Sequence, residues 1–357
     1  MPVIHVEIDP DGDTLIILPH PKPGPDAEES KEEEENDEEP EAEEPGSQDP
    51  DVEKPDPQTC FKVSMKHLTL ASPRAKKMFG GNYTEAQPDA DGLRRWTFGP
   101  IFDPAAFEIV MNAIHGYTHK MPWTVTLETL AKISAIVDDL DCAQSLWFFA
   151  KTWIAELDTH MNDDNVRWWM LISSVFDEQE QFYSATLDAI LEGDGPFDAR
   201  GLPIRPKIID TIDSWRKTYI KRIVNGIESL VVSVRGQKCD HECKSMTFGA
   251  LTLYLMSANL IFPSPSEPYP GMRLSRILRQ LTLFELPLVY RPGESFLHNV
   301  KRSKDLWLFQ EAPAPGVQPQ KQPQGTDTHN CDLRSLVTKS LSSLAITASG
   351  LNLSDFR

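Results

Sequence analysis

Three residues in one short polar segment have side chains that could bind a metal ion. Cys239, His241 and Cys243 lie in the sequence CDHECKS, and on a helix the two cysteines would face the same side. His329 and Cys331, much later in the chain, could complete a set of four zinc ligands. However, the two-residue spacing usual in zinc knuckles is absent, and His329 lies in a low-complexity tail. We therefore expect ordinary helix cysteines here, with no bound metal or cofactor.

His115 and His119 form a second candidate pair of ligands. They flank the sequence GYT, so Gly116 keeps them off a single helical turn, and no carboxylate is spaced with them. This arrangement predicts a position on a loop surface and not a metal site.

The usual signatures of catalysis are missing around the serines and glycines that could carry them. Ser64, Ser72 and Ser134 have no Gly-x-Ser-x-Gly elbow and no ordered Asp and His partners. Gly80 and Gly81 lack the Lys-Ser/Thr of a phosphate-binding loop, so we interpret them as a helix stop. The sequence thus predicts that the protein is not an enzyme and has no catalytic, cofactor-binding or metal-binding residues.

Large aromatic residues are concentrated in two predicted helices. They are Trp147, Phe148, Phe149, Trp153, Trp168 and Trp169. Such residues more often form core than binding sites. Phe148 lies off the stripe that contains Phe149 and Trp153, so it is the candidate for an exposed or inter-domain contact.

Charge is distributed very unevenly along the 357 residues, a length sufficient for about two domains. Between Pro21 and Cys60 there are 17 Asp and Glu residues against 3 Lys, a net charge of −14 out of −19 for the whole chain. We call residues 19–59 the acidic tract. With many prolines and almost no apolar residues, it is predicted to be disordered. We interpret it as a solvated spacer, with attraction of a basic partner as the alternative.

The composition excludes several classes of function. A nucleic-acid-binding protein needs a basic face, and this chain is acidic. No apolar run reaches the length of a membrane span, and the N-terminus has no features of a signal peptide. Five scattered cysteines are typical of reduced thiols, which predicts the cytoplasm or the nucleus.

Local patterns predict the order of elements in the first 157 residues. Residues 3–18 resemble a β-hairpin turning at DPDG, and FKVSM begins a third strand. KHLTLAS is predicted to form a short helical turn. Ser72 caps the next helix, which opens at Pro73 and stops at Gly80. A strand with Trp96 and Phe98 on one face, and three helices within residues 103–157, follow.

The best-marked helix is DPAAFEIVMNAIHG. Asp103 caps it, Pro104 opens it, and Phe107 lies on its apolar stripe. Beyond residue 157 the periodicity is helical. Helices are predicted near 164–176, 178–191, 206–234, 244–260 and 274–284, and a weak one in DLRSLVTKSLSSLA.

Four blocks in this order resemble the BTB/POZ domain, in the form found in filamentous-fungal proteins. The blocks are DGDTLIIL, FKVSMKHLTLASPRAKKMF, WTFGPIFDPAAFEIVMNAIHG and LETLAKISAIVDDLDCAQSLWFFAKTWI. The resemblance implies an α+β fold in which a three-stranded sheet is capped by helical hairpins. It assigns residues 1–18 and 60–157 to this domain and makes the acidic tract an insertion. Residues 158–310 would be an all-helical region, and residues 311–357 a Pro/Gln-rich linker with the weak terminal helix.

The same resemblance implies a function in protein–protein interaction, as a scaffold or regulatory protein without catalysis. A substrate adaptor of a cullin-type ubiquitin ligase is the alternative, which would make a cullin the partner. Ser64 stands where the family commonly has a His. The predicted hairpin starts almost at Met1, which disfavours a domain-swapped dimer while leaving other homo-oligomers open. No kelch repeat or zinc finger follows to indicate the partner.

Overall fold

The computed structural model describes residues 3–19, 57–238, 241–284, 333–344 and 348–356. The chain divides into two compact units. The first contains residues 1–185, 199–204 and 351–357, and the second contains residues 186–198 and 205–350. The first unit thus extends past residue 157, where the sequence places the end of the BTB-like domain. Most of the acidic tract and of the Pro/Gln-rich linker lies outside the described residues.

A four-stranded mixed sheet forms the β part of the first unit as described. Its strands are β1 (Ile4–Glu7), β2 (Thr14–Pro19), β3 (Gln58–Val63) and β4 (Arg94–Thr97), in the order β1-β3-β2-β4. β2 and β3 are antiparallel, with Pro19 opposite Gln58, so the acidic tract connects two paired strand ends. β1 runs parallel to β3, and β4 runs parallel to β2.

The predicted hairpin over residues 3–18 is wrong, because β1 pairs with β3 and not with β2. The DPDG segment does bend, since the Gly12 N–H donates to the Asp9 carbonyl. However, it passes over the end of β3: the Ile8 and Asp9 amides both donate to the Lys62 carbonyl. A Cβ on Gly12 would lie only 2.6 Å from the Val63 carbonyl oxygen, so this crossing requires glycine. Alternation identified both strands correctly, but alternation does not specify the partner.

Two helices of the first unit begin at the caps that the sequence predicts. The helices described in this unit are α1 (Met65–Ala71), α2 (Pro73–Gly80), α3 (Pro104–Ile114), α4 (Leu127–Leu140), α5 (Ala143–Glu156) and α6 (Val166–Phe176); α7 (Gln179–Glu192) spans the division between the units. The Ser72 hydroxyl accepts the Ala75 N–H, and the Asp103 carboxylate accepts the Ala106 N–H. The predicted start of each of these two helices is therefore confirmed.

Phe107 lies at the centre of an aromatic cluster between α3 and the sheet. It is fully buried, and its ring centroid is 5.3 Å from that of Phe61 and 5.6 Å from that of Phe98. Trp96 continues the cluster, 4.6 Å from Phe98. The predicted core position of Phe107 is confirmed.

The described part of the second unit is helical. The long helix α8 (Pro206–Gly236) contacts α9 (His241–Ser257), α10 (Leu274–Thr282) and α11 (Leu333–Leu344). Arg216, on the buried face of α8, is 2% exposed. Its guanidinium donates to the carbonyls of Gly193, Pro268, Tyr269 and Met272, which satisfies a charge that would otherwise be costly to bury. The molecule as described is therefore α+β and mostly helical.

Replacing Phe107 with Ala should destabilise the first unit strongly. Emptying a buried aromatic site costs about 3–5 kcal/mol, a large share of the roughly 5–15 kcal/mol by which a typical domain is stable. Thermal and denaturant melting of the full chain measure this change. Phe148→Ala is the matched control, because Phe148 is 69% exposed and its removal leaves no cavity. Equal melting of the two variants would contradict the core assignment.

Shortening the acidic tract should leave the sheet intact. All the residues that pair β2 with β3 lie outside residues 21–57, and loop closure costs only about 0.6 kcal/mol per doubling of loop length. Replacing residues 21–57 with a short Gly/Ser link is expected to give equal or slightly higher stability, most clearly at low salt, where crowded negative charge is least screened. Circular dichroism, melting and hydrogen exchange measure the effect. Loss of folding, or protected amides within residues 26–45 of the parent chain, would contradict the prediction.

Candidate functional site

The candidate zinc ligands, at which the sequence predicts no bound metal, lie only partly within the described residues. Cys239, His329 and Cys331 lie outside the described residues. His241 is exposed at the start of α9, with a ring nitrogen 3.5 Å from the Ser245 hydroxyl, whereas Cys243 is buried. The two described members of the set therefore lie in different environments.

His115 differs from the surface position that the sequence predicts. It is half-buried at the end of α3, where its Nδ1 lies 2.8 Å from the Met111 carbonyl oxygen. Its Nε2 accepts the Ser64 N–H at 3.0 Å. His119, the other member of the predicted pair, is exposed, and its ring contacts that of Tyr117. His115 therefore bonds to the backbone inside the fold, whereas His119 lies on the surface.

Ser64 and Met65 form the corner where β3 ends and α1 begins. A residue that leaves a strand and enters a helix has an amide that neither element satisfies. The Ser64 amide donates to His115, and the Met65 amide donates to the Asp13 carboxylate at 2.8 Å. Asp13 also pairs with Arg94 of β4 at 3.2 Å. Asp13, just before β2, and His115, just after α3, therefore satisfy the two backbone amides of this corner.

Asp9 and His67 join His115 in a cluster at the same corner. One potential ligand atom from each of the three residues lies within 4.8 Å of the others, and the two imidazole centroids are 5.0 Å apart. These residue types do bind transition metals. However, the Met111 carbonyl fixes the hydrogen of His115 on Nδ1, and the lone pair on Nε2 is already used by the Ser64 N–H. We therefore assign no metal to this cluster.

The hydroxyls of two candidate serines form hydrogen bonds with the backbone of helices. The Ser72 hydroxyl caps α2 and donates to the Leu140 carbonyl, and the Ser134 hydroxyl donates to the Leu130 carbonyl. Cys142 is buried, and that burial raises the pKa of its thiol to about 12. These groups have the properties of structural side chains and not of activated nucleophiles.

We use the term aromatic surface for two exposed aromatic residues of the first unit, Trp123 and Phe148. Trp123, in the loop before α4, is 91% exposed, and Phe148 on α5 is 69% exposed. A series of contacts runs from Phe148 to the residue before Trp123: Phe148 packs on Phe149 at 5.8 Å, and Phe149 packs on Trp153 at 5.9 Å. The buried Trp153 in turn donates its indole N–H to the Pro122 carbonyl at 3.0 Å. The backbone carbonyl of Pro122, the residue before Trp123, is thus held by a buried side chain.

Phe148, the candidate for an exposed or inter-domain contact, is exposed, whereas one other aromatic position differs from expectation. Trp147 is 52% exposed and is not core, while Trp169 is buried as predicted. The sequence reasoning did not single out Trp123. The available signal was a tryptophan between Pro122 and Thr124, outside any periodic pattern.

Comparisons with known proteins give no relative: the chain matches no protein-family profile, no curated protein and no solved structure. None of the helices in the described ranges is both long enough and apolar enough to cross a membrane.

Removing the Asp13 carboxylate should weaken the corner between β3 and α1. Asp13→Ala leaves the Met65 amide without its acceptor, and an unsatisfied buried donor costs about 1–3 kcal/mol. We expect the lower end of this range, because the Asp13 side chain is 45% exposed and water can partly replace it. Chemical denaturation measures the loss. Asp11→Ala removes an exposed carboxylate from the same turn and should cost less than about 0.5 kcal/mol; equal losses would contradict the role given to Asp13.

Proposed function

We propose that this chain is a non-catalytic protein-interaction protein whose first unit is a BTB/POZ-like domain. The observation that carries the proposal is the aromatic surface. Tryptophan is among the residues that contribute most to binding energy at protein interfaces. It makes this contribution when the partner covers it and excludes water. The side chain of Trp123 is 91% exposed, so a partner could bury nearly all of its surface, and the backbone just before it is held by a hydrogen bond.

The way in which Trp123 is presented supports binding. Association costs free energy when it has to order flexible groups, so a surface that is ordered beforehand binds more tightly. The bond from Trp153 to the Pro122 carbonyl fixes the loop before any partner arrives. Phe148 makes an edge contact with Phe149, whose ring in turn contacts that of the buried Trp153.

The element order supports the choice of family. An antiparallel β2–β3 pair leads directly into the short helices α1 and α2, and the Asp-Pro start of α3 is followed by the buried Phe107. The helices α4 and α5 then follow as a pair joined at Asp141 and Cys142. These are the four blocks on which the resemblance rests, and the BTB/POZ assignment is inferred from them.

The absence of catalysis is inferred from how the reactive groups are used. The lone pair of His115 accepts a backbone amide, and the hydroxyls of Ser72 and Ser134 donate to backbone carbonyls. The three described cysteines are buried, which suits reduced thiols of the cytoplasm or nucleus.

A cullin-type ligase adaptor is the second candidate, and one observation favours it. α6 lies beyond residue 157 but packs on α4 and α5 within the first unit. A helical extension of this kind is what the adaptor alternative requires after residue 157. Mass spectrometry of proteins that co-purify with the full chain separates the candidates, because an adaptor would bring down a cullin in near-stoichiometric amount.

Mutating the aromatic surface tests the proposed function. In the double variant Trp123→Ala/Phe148→Ala, we expect specific partners of the full chain to be recovered at least about tenfold less, because central interface aromatics each contribute roughly 2 kcal/mol or more. Quantitative affinity-purification mass spectrometry is the measurement, with melting curves to show that the variant folds.

Leu253→Ala is the matched control for that experiment. Leu253 is 70% exposed on α9 of the second unit, so its replacement removes a similar apolar group from another part of the chain. Equal recovery of partners by the double variant and the control would contradict the assignment of the aromatic surface.

A further inference from the structure

The bond between Ser64 and His115 depends on the protonation state of one ring nitrogen. The Met111 carbonyl oxygen can only accept, so Nδ1 of His115, 2.8 Å away, carries the hydrogen. Nε2 then holds the lone pair that accepts the Ser64 N–H. A proton on Nε2 would place two donors against each other. The bond therefore exists only with the neutral ring.

Two titratable groups from elements other than α3 lie close to this ring, and the charge of Lys62 lies at the turn that contains one of them. His67 of α1 has its ring centroid 5.0 Å from that of His115. Asp9, in the turn before β2, places a carboxylate oxygen within 4.8 Å of a nitrogen of each ring. Lys62 of β3 donates its ammonium group to the Pro10 carbonyl, at the same turn. The carboxylate of Asp9 is thus close enough to stabilise a protonated imidazole.

We propose that His115, His67 and Asp9 form a proton-operated latch on the corner between β3 and α1. At neutral pH the latch is closed, and His115 holds the Ser64 amide. When Nε2 of His115 takes up a proton, the new N–H is stabilised by the Asp9 carboxylate, and the Ser64 amide loses its acceptor. Because α1 contacts both α2 and α3, release of the corner loosens the entry to these helices.

The direction of the pH dependence follows from the surroundings of His115. Burial lowers the pKa of His115 most, the Met111 contact raises it, His67 lowers it and Asp9 raises it, with a net shift below its usual range. The unfolded chain, with a histidine pKa of about 6.5, therefore binds more protons than the folded chain. The latch is fully formed above about pH 6.5 and is lost as the pH falls through the folded pKa of His115.

Hydrogen exchange of single amides in the full chain tests the latch. After correction for the intrinsic exchange rate, we expect protection of the Ser64 amide to fall about tenfold for each pH unit below the transition, following the neutral fraction of His115. The Met65 amide donates to the Asp13 carboxylate and not to a histidine, so it should keep its protection between about pH 7.5 and 5.0.

Two variants should move the transition in opposite directions while leaving His115 in place. His67→Gln removes a neighbour that lowers the pKa of His115, so the midpoint should shift to higher pH. Asp9→Asn removes the carboxylate that raises this pKa but keeps the oxygen that accepts the Asp11 amide, so the midpoint should shift to lower pH. His119→Gln is the control, because His119 is exposed and outside the cluster.

Two results would overturn the proposal. One is protection of the Ser64 amide that stays constant across this pH range in the parent chain. The other is a midpoint that is the same in His67→Gln, Asp9→Asn and the control, since the latch requires opposite shifts. A variant that unfolds is recognised by loss of protection at the core amide of Phe107, and the other variant then decides.

Discussion

Two backbone amides at the corner between β3 and α1 impose the constraint on which the first unit depends. β3 is hydrogen-bonded on both sides, to β1 and to β2, and Phe61 and Val63 on it are fully buried. The chain must then leave the sheet and start a helix within one residue. The corner amides are satisfied by His115 from the end of α3 and by Asp13 from the start of β2. The imidazole of His115 and the carboxylate of Asp13 thereby hold the end of β3 and the start of α1 in place.

Several features of the first unit share this dependence. Asp13 also holds Arg94, which brings β4 to the same place, and the end of α3 that carries His115 belongs to the helix that buries Phe107. A change at the corner would therefore be felt in both the polar network and the aromatic core. The second unit, described by itself, uses a comparable device, because the buried Arg216 gathers four backbone carbonyls around α8.

The chemical character of the chain follows from how these polar groups are used. Several groups that resemble catalytic or metal-binding residues in the sequence are bonded to backbone atoms: the imidazole of His115 and the hydroxyls of Ser72 and Ser134. Trp123 and Phe148 are left with apolar surface in water although their backbones are well supported. A surface of this kind is suited to binding a protein, and this is the physical basis of the function proposed above.

The sequence by itself determined the features that depend on neighbours a few residues apart. Asp103 and Pro104 define the start of α3, Ser72 defines the start of α2, and the 3.6-residue period places Phe107 in the core and Phe148 outside it. These signals are local because a cap or a helical face is complete within a few turns.

Only the tertiary structure decided which strand β1 pairs with, what His115 bonds to, and how Trp123 is held. The contacts of Ser64 with His115 and of Met65 with Asp13 join residues 51 and 52 positions apart, and that of Trp153 with Pro122 spans 31. No periodicity or spacing rule reaches across such distances. A residue type specifies which bonds it can make, but the packing of the whole unit determines which partner comes within reach.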